Sequence, residues 1–209
     1  MENDKQISND LELKNRIMIT ARDLFYMYGF SKVTVDEIAN KLGISKKTLY
    51  KLFPSKDELV HEVVRTTIKE MDACCVGVMK QDDVSFVEKL KQLMTTVGMQ
   101  YSKMNRQLIE DLEKYAPSVW KEIADYRTEH IQQNFAKLLT EGVEDGVFRN
   151  DVNKDLILLI YSNLVRNIIT PEILMQLPFT AAQVFDAIMV VLYEGIFTEE
   201  TRKQYQVHH

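Results

Sequence analysis

The stretch TVDEIANKLGISKKTLYKLFPSKDEL, from Thr34 to Leu59, decides how this chain folds, because successive helix starts and a tight turn are written into it. Thr34, followed three residues later by Glu37, forms a capping box. Val35, Ile38, Ala39 and Leu42 then fall at i, i+3, i+4 and i+7, the stripe of a short amphipathic helix. Gly43 ends that helix, Ile44 supplies an apolar plug, and Ser45 caps the next helix by accepting a backbone N–H. On this second helix Leu49, Leu52 and Phe53 form the buried stripe, while Lys46, Lys47, Tyr50 and Lys51 point elsewhere. Pro54 stops it, and Ser55 with Glu58 makes a further capping box that opens a longer helix.

Two short helices joined by a glycine turn, the second carrying cations outward, predict a helix-turn-helix reader of the DNA major groove. The alternative is an αα-hairpin in a helical bundle whose lysines are merely solvated. Charge favours the reader. The segment from Leu11 to Lys56 carries nine cations against four anions, a net +5, whereas the whole chain is −5, so the remainder sums to −10. An acidic protein with one basic segment suits a DNA partner engaged at one end only.

At these residues the chain resembles the TetR family of bacterial transcriptional repressors. The resemblance covers about the first quarter of the sequence. It includes an amphipathic first helix ending in Tyr28-Gly29-Phe30, the Thr34-x-x-Glu37 helix start, the Leu42-Gly43-Ile44-Ser45 turn, and the run Thr48-Leu49-Tyr50, then Phe53-Pro54-Ser55-Lys56 and Glu58-Leu59. The resemblance implies phosphate contacts from Thr34, Thr48, Tyr50 and Lys56, with Lys46 and Lys47 directed at the groove; Ser45 and Lys51 complete the candidate DNA surface. Two positions depart from the family pattern. Position 47 is commonly Gly and is Lys here, adding a base or phosphate contact; position 52 is often His or aromatic and is Leu here, removing one.

Length and composition agree with a small reader followed by a larger domain. The chain has 209 residues, only seven Gly and four Pro, and its apolar runs follow helical rather than alternating spacing, so the expected class is all-α. The expected division is a three-helix DNA-binding domain over residues 1–56, its first ten residues a frayed arm, and a helical effector-binding and dimerisation domain over 57–209. The arm carries Glu2, Asp4 and Asp10 against Lys5 and is assigned no DNA role. No signal peptide is visible, and Arg166 and Asn167 interrupt the best apolar stretch, so the expected location is the cytoplasm. His208 and His209 read as the remnant of a purification tag and enter no site argument.

Leu13, Ile17, Ala21, Leu24, Phe25 and Tyr28 describe a first helix packed on the two motif helices. Beyond Lys56, helices are expected over 57–79, 84–104, 106–114, 118–141, 154–169 and 181–197. The last two are apolar around most of their circumference, which predicts cover from two sides, within one chain or from a second copy. In the family the chain resembles, these helices join in a four-helix dimer interface; the residues expected there are Leu156, Ile160, Leu164, Ile168, Val184, Ile188 and Leu192. Between reader and dimer helices lie Met94, Val97, Tyr101, Met104, Leu108, Tyr115, Trp120 and Tyr126, whose soft and aromatic side chains line adaptable pockets and equally fill ordinary cores. They are the candidate pocket for an apolar or amphipathic effector. Glu110, Asp111 and Glu113 read as a solvated face, or as a lure for a cationic ligand if one turns inward.

Enzyme chemistry finds no foothold. His61-Glu62-Val63-Val64-Arg65 nearly spells a zinc protease signature, but the second ligand position holds Arg65, which cannot bind zinc. Cys74 and Cys75 are adjacent, a geometry that disfavours a disulfide, and packing is their expected use. Walker, dinucleotide and nucleophile-elbow motifs are absent. The expectation is therefore a ligand-responsive regulator, most simply a repressor, that binds a palindromic or pseudo-palindromic operator as a homodimer, without metal or cofactor, and is released by a small-molecule effector. The alternatives are an architectural helix-turn-helix protein without an effector, and an enzyme whose site is assembled from distant residues.

Overall fold

The computed structural model describes residues 2–206, with side chains over 7–129 and 133–203; His208 and His209 lie outside the described residues. Among these residues the architecture is all-α, the one extended pairing being a single antiparallel bridge between Phe148 and Phe197. The chain falls into two compact units, Met1–Glu70 with Asn105–Trp120, and Met71–Met104 with Lys121–His209.

The first unit is built on α1 (Glu2–Tyr28), α2 (Val35–Leu42), α3 (Lys46–Leu52), the first part of α4 (Lys56–Met79) and α6 (Arg106–Tyr115). Helix α1 starts at Glu2, so residues 2–10 are helical rather than a frayed arm; no Gly or Pro interrupts the chain before Gly29. Ile17, Ala21 and Phe25 from α1, Ile38 and Ala39 from α2, Leu49 from α3 with Phe53 at its C-cap, and Leu59 and Val63 from α4 make the core. Phe25 and Phe30 meet edge to face at 6.4 Å. Along α1, Lys14 pairs with Glu62 at 3.5 Å and Arg22 with Glu70 at 2.6 Å, tying α4 alongside as far as Glu70.

The boundary expected after Lys56 does not coincide with this division. Helix α6 packs against α1, burying Leu108, Ile109 and Leu112, and so joins the reader although it follows α4 by many residues. Asn105 explains part of this. Its side-chain oxygen caps α6 by accepting the Leu108 N–H, and its Nδ2 donates to the Tyr26 carbonyl near the end of α1.

The second unit holds the rest of α4, α5 (Phe86–Ser102), most of α7 (Pro117–His130), a π-helical stretch (Ile131–Phe135), α8 (Ala136–Glu144), α9 (Lys154–Ile168), α10 (Pro171–Gln176), α11 (Ala181–Ile196) and α12 (Glu199–Gln206). The single helix expected over 118–141 is thus divided by a π stretch, and α10 and α12 are additions to the expected set. Helix α11 packs on α5 and α9. At its C-terminal end Phe148, Tyr193 and Phe197 stack at 5.6–6.1 Å, with Phe86 edge-on to Phe148 at 5.6 Å. No helix among the described residues is long and apolar enough to cross a membrane.

Candidate nucleic-acid interface

The reader is assembled by the local signals the sequence carries. Thr34 Oγ1 accepts the Glu37 N–H at 3.1 Å and Glu37 Oε2 accepts the Thr34 N–H at 2.7 Å, completing the capping box. The Thr34 backbone N–H and, after it, the Thr34 hydroxyl, which donates to Glu37 Oε2 at 3.0 Å, hold the Glu37 carboxyl below its ordinary pKa. Gly43 closes α2 in the left-handed region, at φ 66°, and its N–H returns to the Ala39 and Asn40 carbonyls. Ser45 then caps α3, its Oγ accepting the Thr48 N–H at 3.0 Å and lying 2.8 Å from Thr48 Oγ1.

Helix α3 presents two faces. Leu49 is fully buried and Phe53, its C-cap, nearly so, while Lys46, Lys47, Tyr50 and Lys51 are exposed and Leu52 is half-buried. The outer face is therefore cationic and aromatic, as its spacing predicts. The cations differ in their surroundings. Lys46 Nζ lies 2.8 Å from Asp36 Oδ2 on α2, and this bond raises the Lys46 pKa. Lys51 Nζ is 3.8 Å from Asp10 on α1. Lys47 is exposed and has no ionic partner among the described residues. Lys56 is half-buried: its Nζ lies 3.5 Å from the Ser31 carbonyl, and burial lowers its pKa against the attraction of Asp111, Asp57 and Glu37. Thr34 and Ser45 are exposed at their cap positions and Thr48 is half-buried.

Sequence spacing does not reveal the partners of these lysines. Asp36 precedes Lys46 by ten residues and Asp10 precedes Lys51 by more than forty, so only the tertiary fold brings them together. Asp111, read from sequence as part of a solvated face, is fully buried in the reader unit and engages the loop between α1 and α2.

The residues expected to line an effector pocket divide between the units. Leu108 is buried on α6, Tyr115 is 67% exposed, and Trp120 is half-buried; all three belong to the reader unit. Met94, Val97, Met104 and Tyr126 are half-buried and Tyr101 is buried in the second unit. Around Tyr101 lie side chains that periodicity could not associate. The Tyr101 ring stands 4.9 Å from that of Phe185, and the Arg127 guanidinium lies 5.9 Å over it while donating to the Ile169 carbonyl at 3.2 Å. Tyr161 packs on Phe135 at 4.2 Å, and burial pushes its hydroxyl pKa far up. Burial likewise raises Tyr126, with Asp72 and Cys75 adding to the effect, and raises the Cys75 thiol to about 11.

The dimer residues are also divided. Leu156 and Ile160 are exposed on α9, Leu164 and Ile168 are half-buried, but Val184, Ile188 and Leu192 are buried inside the chain. Their side of α11 is the buried one, and the helix packs on α5 and α9. On these two helices the exposed large apolar residues are Leu156, Leu159 and Ile160 of α9 with Val190 and Val191 of α11, Val191 at 73%.

Residues 17–63 match the family model described as bacterial regulatory proteins, tetR family. Over 188 residues the chain is 30% identical to the HTH-type transcriptional regulator YvaF of Bacillus subtilis, covering 90% of this chain and 97% of that one. It is 24% identical over 147 residues to the HTH-type transcriptional repressor KstR2 of Mycolicibacterium smegmatis, covering 69% of this chain and 71% of that protein. Its fold is similar to that of a transcriptional regulator from Saccharomonospora viridis solved in complex with choline, with a TM-score of 0.65 at 21% identity over 90% of this chain and 99% of that one. Together with the capped, cation-faced α3 and its glycine turn, these likenesses establish that the chain belongs to the TetR family of transcriptional regulators.

Proposed function

We propose that the protein is a ligand-responsive repressor that binds a palindromic DNA operator as a homodimer in the cytoplasm and is released by a small-molecule effector. The carrying observation is the two-faced α3, with Leu49 fully buried behind exposed Lys46, Lys47, Tyr50 and Lys51. Lys47 takes the groove and, with Lys46, donates to guanine edges, while Thr34, Ser45, Thr48, Tyr50, Lys51 and Lys56 hold the phosphate backbone. Two readers are joined through Leu156, Leu159 and Ile160 of α9 and Val190 and Val191 of α11, whose exposure in one chain supports cover by a second.

The effector site lies in the second unit around Tyr101, Arg127 and Tyr161. An amphipathic ligand suits it: apolar surface for Phe135 and Phe185, and an acceptor group for the guanidinium. Ligand binding favours a conformation whose readers are misaligned, and the DNA-bound population falls by the differential affinity of the two states. Helix α4, continuous from Lys56 to Met79 and shared by both units, carries the change. The name of KstR2 as a repressor and the choline bound to the Saccharomonospora viridis protein support a repressor that answers to a small molecule.

Native mass spectrometry after gentle purification tests this reading. A dimer retaining a small molecule that weakens DNA binding when added back is the expected result. A monomer, or a retained molecule without effect on DNA affinity, would contradict it.

A further inference from the structure

Asp111 is the one fully buried charged side chain among the described residues. It stands on α6 and grips the loop between α1 and α2. Its Oδ2 accepts the Ser31 backbone N–H at 2.8 Å, and its Oδ1 accepts the Ser31 hydroxyl at 2.7 Å and Gln107 Nε2 at 3.1 Å. The approach is close enough to require Gly29. A Cβ there would sit 2.5 Å from Asp111 Oδ2 and 2.6 Å from Gln107 Cγ, and Gly29 occupies the left-handed region at φ +79°. Lys56, the first residue of α4, completes the junction through the Ser31 carbonyl at 3.5 Å and its attraction to the Asp111 carboxylate.

A buried carboxylate is costly to desolvate, and burying an apolar side chain in its place would hold α6 to α1 at least as well. A carboxylate adds fixed geometry, because charge-assisted bonds to a backbone N–H and a hydroxyl leave Ser31 one position. Ser31 precedes the α2 N-cap, Thr34, by three residues, so the position of Ser31 sets where α2 begins and how α3 is presented. We propose that Asp111 is a positioning residue for DNA reading, and that through it α6 is a working part of the reader rather than a helix of the effector domain. The inference rests on DNA binding by α3 but not on the effector or the dimer.

Two variants separate positioning from charge. Asp111→Ala and Asp111→Asn remove the same negative charge. Asparagine retains an oxygen for the Ser31 N–H and, once the Gln107 amide turns over, an amide that donates to Gln107 and Ser31. If charge alone matters, both variants bind DNA more tightly than the wild type, since a repulsive anion has gone. Positioning predicts that the two variants part: Asp111→Ala weakens binding roughly tenfold while Asp111→Asn stays within about threefold of wild type. The probe is a duplex selected from a random-sequence pool by the wild-type chain, titrated by fluorescence anisotropy below each variant's melting transition. Should Asp111→Ala not fold, Ser31→Ala carries the test. It deletes only the hydroxyl donor and should cost about threefold with an unchanged salt slope, whereas loss of a phosphate contact would lower the slope by about 1. Unchanged affinity in Ser31→Ala, or Asp111→Ala and Asp111→Asn moving together, overturns the proposal. Failure of the wild-type chain to select or bind any duplex would instead remove the DNA-reading assignment, and this inference with it.

Discussion

Lys46 at the start of α3 is ion-paired to Asp36 in the first turn of α2, Nζ to Oδ2, at 2.8 Å. The cation nearest the tip of the reading helix is therefore already engaged when DNA is absent, whereas its neighbour Lys47 is not. Both members of the pair are exposed, and exposed pairs of this kind are weak, so a phosphate or guanine edge can take Asp36's place. Asp36→Asn should tighten binding to selected and random duplexes alike, by freeing Lys46 and removing an anion. In that background Lys46→Ala should cost more affinity than it does in the wild type. Anisotropy titrations of the single and double variants measure this coupling, and strictly additive effects would mean the pair plays no part in DNA binding.

The proposed dimer makes a prediction about sides of a helix. Leu159→Asp or Val191→Asp places a charge on an exposed apolar residue, so the chain should stay folded but sediment as a monomer. Operator affinity should then fall by roughly a hundredfold or more as the second half-site is lost. Ile188→Asp tests the opposite side. Ile188 is 7% exposed within one chain, and a buried charge there should lower the melting temperature instead of yielding a folded monomer. A dimer persisting in both Leu159→Asp and Val191→Asp would move the interface elsewhere.

Thr34→Ala should cost about 1 kcal/mol of stability through loss of the α2 cap. It also removes the hydroxyl contact that helps hold Glu37 below its ordinary pKa, so the Glu37 carboxyl should titrate at higher pH in the variant. A carboxyl depressed in the folded state stabilises above its unfolded pKa, and that contribution is lost as pH falls through the folded value. Thr34→Ala should therefore show a shallower acid destabilisation than wild type, measurable by thermal melts across the carboxylate range together with NMR titration of Glu37.

The reader was legible because its signals are local. Thr34 with Glu37, Gly43, Ser45 with Thr48, and the stripe through Leu49 and Phe53 all act within a few residues, and the structure builds the helices they predict. Where a side chain's role depends on a distant partner, sequence spacing carries no such signal. Asp111 is polar and lies among other acids, so it reads as solvated, yet Ser31 meets it from eighty residues away. Helix α11 is apolar around most of its circumference, so no stripe says which side turns inward. Packing on α5 and α9 decides it, and Val184, Ile188 and Leu192 fall on the inner side. The Tyr101, Arg127 and Tyr161 cluster likewise draws from α5, α7 and α9, helices with no sequence register to one another.

The central claim, that two α3 helices on one symmetric frame read DNA, is tested most directly by selecting duplexes from a random pool with the full chain and measuring the stoichiometry of the selected complex by sedimentation. The expected result is an inverted repeat whose half-sites lie about one helical turn, roughly 10 base pairs, apart or a multiple of it, bound by whole dimers. Enrichment of an unpaired half-site bound by one chain, or of no sequence at all, would contradict it.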